Sequence, residues 1–241
     1  MVIELAGIPA ELRCRYPENE RFLQDYASNR APLFTICPTE EDLERIQADF
    51  ERMDAAEGIP IHRRGDKFLE NNAIHALLAE ALAERNVLLM HGSALCMDGE
   101  AYIFTAKSGT GKSTHARLWR EVFGDRVWMI NDDKPMLRVE ERGVTVYGTP
   151  WNGKHHLGCN ASAPLKAIVK LERDSTNHIA ALPRAEAFPM LMKQGYVSRN
   201  PGTMERIVEM EMRLLNAVSF YVLGCNMEPE AAKIAWEGMN A

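Results

Sequence analysis

The sequence predicts an α/β fold, and three stretches carry that expectation. An apolar run, Ala101-Tyr102-Ile103-Phe104-Thr105, leads through a glycine-rich loop into a helix-like run that begins at Ser113. A second apolar run, Val127-Trp128-Met129-Ile130, ends in Asn131-Asp132-Asp133. Further strand-like runs at Leu165–Leu171 and Phe220–Cys225 are separated by amphipathic helical patterns. Strands that alternate with helices of 3.6-residue period build one layered α/β unit.

Length and composition are those of an ordinary globular protein. A chain of 241 residues, 46% hydrophobic and 26% charged, can bury one substantial core and carry a small appendage. Its formal net charge of −6, without a block of positive residues, argues against a nucleic-acid partner. No apolar run is long enough to cross a bilayer, and the start Met-Val-Ile-Glu-Leu lacks a charged leader followed by an apolar core. The expectation is a cytoplasmic protein without a membrane partner. Five cysteines, Cys14, Cys37, Cys96, Cys159 and Cys225, show no C-x-x-C spacing, so they are expected as reduced, mostly buried thiols.

The first 65 residues read as an α+β extension and residues 66–241 as the main domain. Val2–Leu5 and Phe34–Cys37 are strand-like. Thr39 with Asp42 forms a capping box for a helix carrying Leu43, Ile46 and Phe50, which Gly58-Ile59-Pro60 ends. A second helix is expected from Asp66 to Arg85, with Phe68, Ile74, Leu77, Leu78, Ala81 and Leu82 on one broad face and His75 beside it.

From Val87 the pattern turns to strands. Val87–Met90 leads through His91-Gly92-Ser93 to Ala94–Met97, and Asp98-Gly99 is a strong hairpin signal. A two-residue turn pairs Met97 with Glu100, which sets His91 opposite Ala106. Adjacent strands lie about 4.8 Å apart, so this register carries His91 to the mouth of the glycine-rich loop.

That loop, Ala106-Lys107-Ser108-Gly109-Thr110-Gly111-Lys112-Ser113-Thr114, matches the phosphate-binding Walker A pattern with alanine in place of its first glycine. Gly109 and Gly111 can take positive φ and turn backbone N–H groups onto phosphate oxygens. The following helix directs its unpaired N–H groups at the same anion. Ser108, Gly109, Thr110, Gly111, Lys112, Ser113 and Thr114 are therefore the candidate nucleotide-binding residues, with Lys112 as the charge on the β/γ-phosphates and Ser113 as the hydroxyl on Mg²⁺. Asp132 and Asp133 end their strand where such proteins place the carboxylate that holds Mg²⁺. Two adjacent acids allow one to bind the metal and the other to serve as base toward a phosphoryl acceptor, and the sequence does not say which does which.

Met136–Glu140 and Val144–Tyr147 form a second hairpin, followed by Gly148-Thr149-Pro150-Trp151-Asn152-Gly153-Lys154-His155-His156. Glycine, aromatic and cationic residues together suit a mobile loop that closes over phosphates, with Lys154 as a phosphate contact. His155-His156 lacks the further ligands that a metal site needs. Arg184–Lys193 reads as a short helix interrupted by Pro189, Thr203–Val218 as a longer amphipathic helix, and a closing helix starts near Pro229.

The series His91-Gly92, Ser108-Gly109-Thr110-Gly111-Lys112-Ser113 and an apolar strand into Asp132-Asp133 resembles the C-terminal catalytic domain of HPr kinase/phosphorylase. It is also similar to the kinases of lasso-peptide biosynthesis. The resemblance covers roughly residues 87–158 and implies a mixed-sheet fold of the phosphoenolpyruvate carboxykinase type. It implies ATP and Mg²⁺ as cofactors, Lys112 on phosphate, Ser113 on Mg²⁺, one of Asp132 and Asp133 as base and His91 in its support. A further glycine-rich signature of the HPr kinases is replaced here by Gly148-Thr149-Pro150-Trp151-Asn152-Gly153-Lys154. The expectation is an ATP-dependent kinase acting on a hydroxyl acceptor, first a serine of a protein or peptide. A small-molecule kinase and an ATP-binding regulator without transferase activity are the alternatives, and a homo-oligomer stays open.

Overall fold

A computed structural model of the chain describes residues 1–153 and 155–240. The chain divides into two compact units, Met1–Leu82 and Ala83–Ala241. This division falls later than the expected boundary at 65/66, because the helix that begins at Asp66 buries Leu69 and Ala73 in a cluster with Leu43 and Ile46.

In the first unit, β1 (Val2–Leu5) and β2 (Ile8–Leu12) form an antiparallel hairpin, and β3 (Thr35–Ile36) pairs with β2. A short helix, α1 (Pro17–Phe22), follows β2. The helix α2 (Glu40–Glu57) opens on the expected capping box, in which the Asp42 N–H donates to the Thr39 hydroxyl and Asp42 accepts from the Thr39 N–H. Gly58, at φ 70°, closes it. The helix α3 spans Asp66–Ala83. Its Glu70 is buried but well partnered, accepting from the Arg15 and Tyr16 N–H groups and the Asn19 amide.

The second unit is a mixed α/β structure. In order its elements are β4 (Val87–Leu89), β5 (Ser93–Met97), β6 (Glu100–Thr105), α4 (Lys112–Phe123), β7 (Val127–Asn131), β8 (Met136–Glu140), β9 (Gly143–Tyr147), β10 (Ser162–Arg173), β11 (His178–Ala181), α5 (Arg184–Gln194), α6 (Pro201–Ala217), β12 (Ser219–Cys225) and α7 (Glu230–Met239). The central strands run in the order β11-β12-β10-β6-β5-β7. The first residues of β10 also pair with β9, which continues through β8 to β4. A register shift between Leu165 and Ala167 lets this one long strand serve both sections.

Direction matters more than order. Strands β6, β10 and β12 are parallel, and β5 is antiparallel to both β6 and β7. The carboxyl ends of β6, β7, β10 and β12 and the start of β5 therefore share one edge. Both sheet faces are covered, which explains why the middle of β6, Ala101–Phe104, is apolar. Tyr102 and Phe104 pack with Trp119 of α4 and Ala235 of α7, while Ala101 and Ile103 pack with Leu191 of α5 and Leu214 of α6.

Some expectations are corrected. Pro189 lies inside α5 without ending it. Of the five cysteines, all free, only Cys96 is buried, while Cys37 and Cys159 are exposed. No helix among the described residues is long and apolar enough to cross a membrane.

Candidate active site

The sheet edge assembles predicted residues from three separate stretches. The hairpin register holds from Met97–Glu100 to Ser93–Phe104, with Asp98 at φ 53° and Gly99 at φ 86° as the type I′ turn requires. His91 leaves this hairpin at the loop. Its carbonyl accepts from the Thr105 hydroxyl at 2.9 Å, and its N–H donates to the Gln194 carbonyl at 2.7 Å. A side chain at Gly92 would meet Ile103 Cγ2 at 2.9 Å and the Phe104 carbonyl oxygen at 3.1 Å, so only glycine lets the chain pass this close to β6.

The loop turns at Gly109 (φ 77°) and Gly111 (φ 126°), and α4 opens directly at Lys112. The Lys112 ammonium folds back to donate to the Ala106 carbonyl at 3.2 Å. Burial lowers its pKa, opposed by the nearby Asp133 carboxylate. Arg173, at the end of β10, donates to the carbonyls of Gly109 at 2.5 Å and Thr110 at 3.4 Å. Those bonds occupy the loop's carbonyls, which would otherwise repel an anion.

Asn131 organises the acid turn. Its amide oxygen accepts from the N–H groups of Asp133 at 2.8 Å and Lys134 at 2.6 Å, and its amide nitrogen donates to the Thr149 and Trp151 carbonyls. One buried side chain thus fixes the direction of both acids and the loop beside them. Asp132 is buried, accepts from the Gly153 N–H at 2.6 Å through Oδ1, and leaves Oδ2 without a protein partner. His91 Nε2 lies 3.2 Å from Asp133 Oδ1. Burial opposes ionisation of Asp133, but the His91 hydrogen bond and the charges of Lys134 and Lys112 outweigh it and hold the carboxyl below its usual range.

His91, Ser108, Gly109, Gly111, Lys112, Ser113, Thr114, Asp132 and Asp133 all line one cavity of about 520 Å³, together with Gly153 and His155. Thr110 faces neighbouring cavities instead, and Lys154 lies outside the described residues. The expected mobile cover is corrected in its first half: Trp151 is 9% exposed, and residues 148–153 are tied to Asn131, Asp132, Lys134 and Ala161. Among the described residues no group of three His, Cys, Asp or Glu side chains could by itself hold a metal. A Mg²⁺ bound partly by phosphate oxygens and water needs only one carboxylate and a hydroxyl, and the unpartnered Asp132 Oδ2 fits that demand.

No family model matches the chain, and no curated protein matches it. Several solved structures are similar to the chain. Among them is that of the HPr(Ser) kinase/phosphatase from Coxiella burnetii, at 9% identity and a TM-score of 0.37, covering 62% of this chain and 95% of that one. A likeness this distant assigns no role to any residue.

The sequence did not single out Asn131 or Arg173. Asn131 was visible only as a strand end before two acids, and Arg173 lay beyond the expected end of its strand at Leu171.

Proposed function

We propose that this protein is an ATP- and Mg²⁺-dependent phosphotransferase that moves the γ-phosphoryl group to a hydroxyl, with a serine of a protein or peptide as first acceptor. The observation that carries the reading is the convergence of the Walker A loop, Asp132 and the His91–Asp133 pair on one cavity. A protein that only sensed ATP would have no use for an imidazole-held carboxylate beside the phosphates.

The roles follow from the contacts. Backbone N–H groups of the loop and the start of α4 receive the phosphates, and Lys112 exchanges the Ala106 carbonyl for their charge. Asp132 and Ser113 would hold Mg²⁺. The ion, when bound, neutralises charge on the β- and γ-oxygens. The acceptor oxygen bonds to Pγ, the bond from Pγ to the bridging oxygen breaks, and ADP departs. Asp133 takes the hydroxyl proton, oriented by His91 Nε2–H. Its depressed pKa makes it a weak base, which suits a loose transition state in which the hydroxyl loses its proton late.

Mg-ATP is expected to stabilise the fold through this loop. At a hundred times its dissociation constant a ligand adds about 2.7 kcal/mol, or roughly 5–10 °C in melting temperature for a unit this size. Lys112→Ala should lose most of that shift in a thermal melt with and without Mg-ATP. An unchanged shift would place nucleotide binding elsewhere.

A further inference from the structure

A second cavity, of about 480 Å³, lies against the other side of the loop. It shares Gly109, Gly111 and Thr114 with the phosphate cavity, so the two adjoin at the loop and the first turn of α4. The still larger cavity beside α5 shares no lining residue with the phosphate cavity. Leu171 and Cys225 give the second cavity an apolar side, and Met227, 75% exposed, stands at it. Its volume lies within the range of about 300–1,000 Å³ common to small-ligand sites.

One polar group there lacks a partner. His115 lines the cavity and is 2% exposed. The indole N–H of Trp119 donates to its Nε2 at 3.0 Å, so Nε2 must be the acceptor. Burial pushes the pKa of His115 down to about 3, and the ring is therefore neutral. Its single proton then sits on Nδ1, which is buried and makes no hydrogen bond to protein. A buried N–H left unpaired is costly, and a ligand acceptor would relieve that cost. Asp174, at the same cavity, is held ionised by the Thr176 N–H at 2.9 Å and offers an acceptor for sugar hydroxyls.

We propose that this cavity takes the nucleoside end of the nucleotide, the base packing against Leu171, Cys225 and Met227 and accepting a hydrogen bond from His115 Nδ1–H, while Asp174 accepts from the ribose hydroxyls. The proposal rests on the reading that the loop binds nucleotide phosphates. A purine, with acceptor nitrogens on its ring, meets the requirement at His115.

Calorimetric titration of the full chain with Mg-ATP and with Mg-tripolyphosphate separates the two claims. Wild type is expected to bind ATP about tenfold more tightly than tripolyphosphate. His115→Asn and the surface variant Met227→Ser should each weaken ATP severalfold and leave tripolyphosphate unchanged. In nitrogen-15 NMR spectra of histidine-labelled protein, ATP but not tripolyphosphate should shift the His115 Nδ1–H signal. Equal affinities in wild type, with no effect of Met227→Ser and no shift at Nδ1–H, would overturn the nucleoside site and leave the phosphate loop intact. Failure of both ligands to bind, or binding indifferent to Lys112→Ala, would overturn the nucleotide reading and this proposal with it.

Discussion

Asp133→Asn is expected to retain Mg-ATP and lose about 10²- to 10⁴-fold in phosphoryl transfer, whereas Asp132→Asn should chiefly raise the Mg²⁺ concentration needed for half-maximal rate. The two side chains are neighbours in sequence but not in chemistry. Asp132 is buried, with one oxygen on the Gly153 N–H and the other unpartnered, which supports the metal-ligand role proposed for it. Asp133 is partly exposed at the cavity and tied to His91. Asparagine at 132 can keep the bond from Gly153 while removing the charge that attracts the metal. Asparagine at 133 keeps the shape but cannot take a proton, and removal of a positioned base costs about 10²–10⁴ in rate. His91→Ala should be a milder form of the same defect. Because the His91 hydrogen bond helps depress the Asp133 pKa, that variant should also move the acid limb of the rate profile upward in pH. The sign for stability agrees: a depressed carboxyl stabilises the fold above its unfolded pKa and loses that effect as pH falls through its folded value. Identical Mg²⁺ dependence and identical rates in Asp132→Asn and Asp133→Asn would refute this division.

Glu211→Gln is expected to stabilise the protein at pH 8 and to do little at pH 4.5. Glu211 lies on α6 at 2% exposure, among Leu88, Leu89, Met90, Leu137, Leu191 and Leu214, with Oε2 unpartnered. Burial raises its pKa to about 7 from an ordinary value of 4.5. The folded state holds the proton more tightly than the unfolded state, so stability is full below pH 4.5 and falls as pH rises through about 7. The loss is on the order of 3 kcal/mol, which corresponds to roughly 6–12 °C in melting temperature. The glutamine variant carries no charge to bury and should show a flatter curve of melting temperature against pH. Parallel curves for the two proteins would mean that Glu211 finds a partner when ionised. The consequence reaches the site, because the Gly195 segment that meets this carboxyl also pairs with Met90, next to His91.

Much of the fold was legible because its signals are local. Asp98-Gly99 fixed a hairpin register that the strands follow residue by residue, and that register alone placed His91 at the loop. Thr39 and Asp42 announced the start of α2. What stayed hidden depends on contacts between distant stretches. Asn131 is one of several asparagines until its amide is seen bridging the acid turn to Thr149 and Trp151. The composition of residues 148–153 suggested mobility, yet those bonds pin them, since backbone partners cannot be read from residue type. Cys37 and Cys159 are exposed although cysteine is usually buried, because burial depends on which strand or loop covers a position. Arg173 reaches the loop only because β10 extends beyond Leu171.

The most direct test is to follow the γ-phosphoryl group itself. The full chain, saturated with Mg-ATP labelled at the γ-phosphate, is incubated with a panel of serine-containing peptides and small hydroxyl compounds, and products are read by mass spectrometry. The account predicts label on a hydroxyl oxygen, with one ADP formed per transfer, and loss of both with Lys112→Ala. Mg-ATP that binds the wild-type loop yet stays intact, with no label on peptide, small molecule or water, would contradict it.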